Sequence, residues 1–268
     1  MIPTVVWGVI LCIAMVYTYL PGRFDAAATA LSFTARIASL MSLLLVPVGL
    51  GWLASRRRER MWRRLTRVAA ALVVFVAALA AISMNQLALG AVVGVGAFAL
   101  LRVAGRRSRD SIERGPPIPS PLPFCLVSVP LVLGAFQGIV LPRVADWSRD
   151  RAISHSLPLI TEIETFHQRR GHYPVSLRSL NADFPTGVTG IERFHYEPNA
   201  EAYNVFFIRP HIELDAMEVV LFNPREEHRF TSHELDILQY DGEQFNRRRG
   251  DRRRTRLGHS HWISIVFD

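Results

Sequence analysis

Apolar residues gather in long unbroken stretches in the first half of the chain and in short, patterned groups in the second. Five stretches approach the roughly 20 residues needed to cross a hydrocarbon layer. They lie at 4–20, 36–54, 68–84, 87–104 and 122–142. Only Asn85 and Gln86 separate the third from the fourth, which predicts a tight helical hairpin there. GPPIPSPLP at 115–123 cannot be helix interior, so it reads as a stiff, extended connector into the fifth stretch.

The second half is patterned differently. Ile153, Leu157, Ile160, Ile163 and Phe166 recur every three or four residues and predict one face of a helix. Pro158 falls inside it, as a kink or as a restart capped by Ser156, and Gly171 ends it. Ser176 is placed to cap a short turn carrying Leu177 and Leu180. Strand-like runs follow at 203–208, 217–222, 236–240 and 261–267, with turn signals at Asn223-Pro224 and Asp241-Gly242. The expected fold is a membrane bundle of about five helices followed by an α+β domain, a long helix on an antiparallel sheet. The organisation is a four-span region at 1–121, a fifth span at 122–142 and an extramembrane domain at 143–268.

Charge sets the orientation. The net +8 divides unevenly: residues 1–142 hold 14 Arg against 4 acids, and residues 143–268 hold 17 Arg against 19. Arg56, Arg57, Arg58, Arg60, Arg63, Arg64 and Arg67 follow the second stretch; Arg106, Arg107, Arg109 and Arg114 follow the fourth, with Arg102 at its edge. The other connections carry Arg23, Asp25 and Arg36, or nothing. Basic loops stay in the cytoplasm, so the N-terminus is expected inside and the C-terminal domain outside, in the periplasm of a bacterial inner membrane. The basic excess thus reads as orientation rather than as a nucleic-acid footprint. The first stretch lacks a basic leader and a small-residue cleavage site, and is expected to be retained.

The stretches are read as free of ionisable groups at depth, which disfavours ion pumps and proton-coupled transporters. Gly90 with Gly94, and Gly134 with Gly138, allow helix backbones to approach, within this bundle or between two copies. Gln137 is expected to bond a neighbouring helix.

Gly171, Tyr173, Pro174, Leu177 and Leu180 follow a span that runs into an amphipathic helix, with Tyr196 and Tyr203 ahead of the sheet. This arrangement resembles the type II secretion pseudopilins and type IV pilins over about residues 122–210. The resemblance implies a helix half in the membrane and half on a small antiparallel sheet. No prepilin cleavage motif precedes residue 122, so neither processing nor extraction into a filament is implied. No calcium site carries over.

Candidate chemistry is sparse. The nine histidines all lie beyond residue 150; His259 and His261 alternate on a strand-like stretch, but two ligands do not make a metal site. No nucleophile elbow or phosphate-binding glycine loop occurs. Neither catalytic residues, metal nor cofactor is expected. RRRGDRRRTR at 247–256 crowds Arg247, Arg248, Arg249, Arg252, Arg253, Arg254 and Arg256 together, a solvated hairpin tip or a contact for an anionic partner. The expected function is non-enzymatic: an integral inner-membrane protein presenting its domain to an envelope protein. A ligand- or pH-sensing module, and a membrane enzyme or transporter, are the alternatives.

Overall fold

The computed structural model describes residues 2–55, 58–84, 121–180, 182–199, 201–210, 216–228 and 251–267. The fourth apolar stretch with Gly90 and Gly94, its basic loop, residues 115–120 of the proline connector, the 236–247 hairpin and Arg247–Arg249 lie outside them. The chain forms two compact units. One comprises Met1–Thr18 and Ala26–Val144; the other comprises Tyr19–Asp25 and Ala145–Asp268.

The first unit is helical. α1 is Ile2–Tyr17, α2 Ala26–Ser42, α3 Leu45–Ala54, α4 Glu59–Ser83 and α5 Leu122–Ala135. Among the described residues, three helical runs are long and apolar enough to cross a membrane: Ala26–Ala54, Glu59–Ser83 and Leu122–Arg170; Val6–Tyr17 is a shorter apolar one. Their large apolar side chains are turned outward. On α4 the exposed residues Leu65, Val68, Leu72, Phe75, Leu79 and Ile82 form one helical stripe, while Ala77, Ala80 and Ala81 are buried. Water would reverse that arrangement; lipid favours large residues outward and small residues where helices meet.

Four sequence expectations need correction in this unit. Arg58 precedes α4, but Arg60, Arg63, Arg64 and Arg67 lie on its first turns, not in a loop, with Arg63 bonded to Glu59 at 2.6 Å. Arg is a good helix former, so the helix extends beyond its apolar part. The second span begins at Ala26, ten residues early, which puts Arg36 inside α2 and 3% exposed. Ionisable groups are therefore not excluded from the helices. Gln137 Oε1 is enclosed and accepts no hydrogen bond. Finally, close approach falls elsewhere than Gly134 and Gly138. A Cβ on Gly134 would meet only Leu43 at 3.9 Å, and on Gly138 nothing. On Gly49 it would lie 2.8 Å from Val127 and 3.0 Å from the Pro123 carbonyl, so α3 and α5 touch there. Gly49→Leu should lower the denaturation midpoint of the detergent-solubilised chain by an overpacking cost of about 1–3 kcal/mol; Gly138→Leu should not.

A π-helical segment, Phe136–Val140, joins α5 to α6, which is Leu141–Arg170. Pro142 has no N–H for the carbonyl four residues back, and widening the turn relieves its ring. The Leu141 N–H bonds to Phe136 O, five residues back. Helix runs unbroken from Leu122 to Arg170. Pro158 does not restart it: Ser156 Oγ donates to Ile153 O at 2.6 Å rather than capping. Gly171, at φ +75°, stops it with its N–H on His167 O at 2.8 Å.

The second unit is α+β. Its antiparallel sheet has the order β1-β2-β3-β5-β4, with β1 His195–Asn199, β2 Ala202–Pro210, β3 Met217–Phe222, β4 Asp251–Arg256 and β5 Trp262–Phe267. On one face Tyr203, Val205, Phe207, Val220, Phe222 and Trp262 pack with Ala152, Ile153, Leu159 and Ile163 of α6. On the other, Phe206, Val219, Leu221, Ile263 and Ile265 form a second buried cluster. Burial of both faces explains why these strands read as continuous apolar runs rather than alternating ones.

Candidate functional site

The polar groups of the α+β unit gather at the two ends of its helix. At the first end Arg209, last but one on β2, stands opposite Glu218 on β3. Both are buried, at 4% and 2% exposure. Arg209 Nε and Nη2 lie 2.8 and 2.6 Å from Glu218 Oε2, and Ser264 Oγ of β5 donates to Oε1 at 2.6 Å. Arg209 Nη1 donates to the Ala145 carbonyl of α6. Its Nη2 is 3.9 Å from Asp146, which pairs with Arg149 at 2.9 Å. Three strands and the start of α6 are thus joined through one guanidinium–carboxylate pair. Burial pushes the Glu218 pKa up, but Arg209, the Ser264 hydroxyl and Arg149 outweigh it and hold it below the ordinary carboxylate value. Arg209, Glu218 and Ser264 satisfy one another and form a clamp, although the Arg149 Nε beside them is buried without a hydrogen bond.

The other end holds the Gly171-Tyr173-Pro174 sequence. Tyr173 stacks on His167, centroids 4.1 Å apart, and lies 5.0 Å from the Tyr203 ring. Tyr203 Oη donates to Glu164 Oε1 at 2.8 Å, and Tyr196 Oη to Pro174 O at 2.8 Å. Pro174 and Leu180 are buried, and Tyr173 and Leu177 pack against the helix–sheet core. Burial, then the Glu164 hydrogen bond and charge, push the Tyr203 hydroxyl well above its ordinary value; burial does the same to Tyr196. Both remain neutral donors. Tyr196 and Tyr203 lie on β1 and β2, within the sheet rather than ahead of it. Tyr203→Phe leaves the Glu164 carboxylate without this donor and should lower stability by about 1.5–3 kcal/mol, measured as a shifted denaturation midpoint.

The arginine run is not a hairpin tip where it is described. Asp251–Arg256 form β4, the end strand of the order, paired with β5 and irregular between Asp251 and Arg253. Arg253, Arg254 and Arg256 are exposed; Arg256 is 3.8 Å from Glu226. An edge strand of charged residues blunts pairing with other sheets. No apolar alternation marked it, and the pairing partner, β5, was the only signal available.

His259 and His261 do not share a strand face. They sit in the turn before β5, His261 at φ +65°, with His259 3.5 Å from Asp150 and His261 3.8 Å from Glu226. Among the described residues no three His, Cys, Asp or Glu converge as a metal site.

Tyr19–Asp25 belongs to this unit by hydrogen bonding. Thr189 N and Oγ1 both donate to Leu20 O, at 2.9 and 2.8 Å. Asp25 N donates to Thr189 O at 2.9 Å, and Gly22 N to Gly187 O at 3.2 Å. Arg151 of α6 also donates to Gly187 O, at 3.2 Å. Sequence reasoning missed this strap, since Tyr19 and Leu20 continue the first apolar stretch, whereas the helix ends at Tyr17.

In the helical unit, Thr29, Ser32, Arg36 and Ser39 share one face of α2 by their spacing. Ser32 Oγ donates to Met15 O at 2.7 Å, and Thr29 meets Thr18 at 3.3 Å, so this face is turned to α1. No protein-family model matches the chain, and no curated protein or solved structure was found similar to it.

Proposed function

We propose that this chain is a bacterial inner-membrane protein without catalytic chemistry, whose helices hold a pilin-like α+β domain outside the cytoplasm to contact another envelope protein. The observation that carries the reading is the set of hydrogen bonds between Tyr19–Asp25 and residues 187–189. The distribution of arginines assigns two described segments to the outside, the 19–25 connection and everything after the fifth span. Those are the two segments that fold together into one unit. Tyr173, Pro174, Leu177 and Leu180, packed beneath the end of α6, support the resemblance to pilins.

Two experiments test it. Alkaline phosphatase fused after Asp268 should be active, and a fluorescent protein that matures only in the cytosol should stay dark there; the reverse overturns the orientation. A photocrosslinker in place of Val175, an apolar side chain 80% exposed beside Pro174, should give a discrete protein adduct in cells. Absence of adducts from Val175 and from further exposed positions of the domain would oppose a docking role.

Arg36 favours a second reading, as a membrane enzyme or transporter, because a buried charge within a membrane helix is costly and marks function when retained. That reading requires Arg36→Leu to fold yet fail to complement a deletion strain. Full complementation would remove it.

A further inference from the structure

We propose that the exposed face of α6 is a self-association seam, on which two copies of this chain pair with their α6 helices parallel. The face opposite the helix–sheet core carries Trp147, Ser154, Leu157, Pro158, Thr161 and Gln168, all exposed. Their spacing keeps them on one side of the helix through about six turns. A surface helix usually turns charged residues outward on that side. Between Trp147 and Gln168 only Asp150 does so, and it lies 3.5 Å from both Arg149 Nε and His259 Nε2. The hydroxyls of the face donate to the helix itself: Ser154 Oγ to Asp150 O at 2.9 Å, Thr161 Oγ1 to Leu157 O at 2.8 Å and Thr165 Oγ1 to Thr161 O at 2.7 Å. With those donors satisfied and Leu157 57% exposed, the middle of the face loses little when water leaves it.

Charge on the two borders of the face selects both the occupant and its direction. Asp146 and Glu164 lie about five turns apart, so they stand at the same angle, on one border. Arg151 and Arg169 each follow one of those acids by five residues and stand together on the other border. A two-fold axis between parallel helices sets the acid border of each copy against the arginine border of the other. Asp146 then faces Arg151 of the second copy, and Glu164 faces its Arg169. Flanking charges of opposite sign pair in this way across a parallel two-helix seam. An antiparallel pair would set acid border to acid border and arginine border to arginine border, which repel. Glu162, also on the arginine border, falls opposite uncharged Leu157 of the second copy. Arg151, Glu164 and Asp146 bond within the chain through Nε, Oε1 and Oδ1. Those bonds steady the side chains and leave the guanidinium tips and the second carboxylate oxygens for the pairing. Because one face supplies both borders, its complement is the same face on another copy.

The test uses the full chain with Cys12 and Cys125 replaced by Ser, oxidised in the expressing cells before lysis. Ser154→Cys and Thr161→Cys should each give a disulfide-linked dimer of the chain, because in a parallel seam each position meets its own copy. Val175→Cys, 80% exposed but outside α6, should give none and controls for random collision. R169E turns both Glu164 pairs repulsive and should lower the dimer yield about fivefold, the scale of exposed ion pairs. The cysteines replace exposed hydroxyl residues and Arg169 is exposed, so these variants keep the core intact. No dimer from Ser154→Cys and Thr161→Cys, or no more than from Val175→Cys, would overturn the proposal. So would a dimer that forms only between Ser154→Cys chains and Thr161→Cys chains, which marks antiparallel pairing, and so would a yield unmoved by R169E. A disulfide adduct to a different protein, identified by its mass, would overturn it in favour of another occupant.

Discussion

Glu218→Ala should lower the stability of the full chain by about 3–5 kcal/mol, because it leaves the Arg209 charge buried without its main counter-ion. Arg209 is 4% exposed and bonds both Glu218 and the start of α6, so the loss should release the helix from the sheet. Protease sensitivity near residue 145 would report it, beside a lower denaturation midpoint in detergent. A paired R209M/E218M replacement should recover most of the loss, since an apolar pair carries no desolvation cost. Equal instability of the double and single variants would mean that packing, not charge, dominates. The pH dependence has a definite sign. The folded pKa of Glu218 is depressed, so its contribution is complete above the unfolded carboxylate pKa and is lost as pH falls through the folded one. Acid should therefore weaken the native chain more steeply than E218Q.

This clamp shows what the sequence could and could not convey. β2, β3 and β5 were legible because their apolar runs are long and bounded by turn residues. Had 203–208 and 217–222 been paired as a hairpin, Arg209 would have fallen opposite Glu218; the sign of each charge was visible, but its burial was not. β1 escaped notice because HYEPN holds a proline and an acid, as an edge strand tolerates. β4 escaped because an arginine run normally reads as solvated chain. Only tertiary pairing to β5 makes it a strand. Arg36 was missed for a different reason. Counting apolar residues places the start of a span after its last charge, whereas backbone hydrogen bonding continues through α2 back to Ala26. The tyrosines of the Gly171 segment were legible as a group, yet their roles as donors to Glu164 and Pro174 O depend on atoms that only the folded chain brings together.

The same logic separates two phenylalanines that sequence alone cannot rank. Phe207 of β2 is fully buried, 5.9 Å from the Phe194 ring and 6.0 Å from Trp262. Phe75 of α4 is 60% exposed, on a stripe that includes Leu72 and Leu79. Both sit in apolar runs, and both would count as core in a water-soluble protein. Phe207→Ala removes a ring from a close-packed helix–sheet interior and should cost about 3–5 kcal/mol through lost transfer energy and an unfilled cavity. Phe75→Ala removes an exposed ring, which in a membrane-crossing α4 would face lipid both in the folded bundle and in a separated helix. Its expected cost is within about 0.5 kcal/mol, the range of a surface change. Denaturation of both variants in the same detergent, followed by pulse proteolysis of the α+β unit and by recovery of intact helical chain, compares them directly. A loss at Phe75 as large as that at Phe207 would mean that α4 buries its Leu72–Leu79 stripe against protein. The lipid-exposed packing of the bundle would then be wrong, and with it the premise that the charge-poor ends of these helices lie across a membrane from the charge-rich ones.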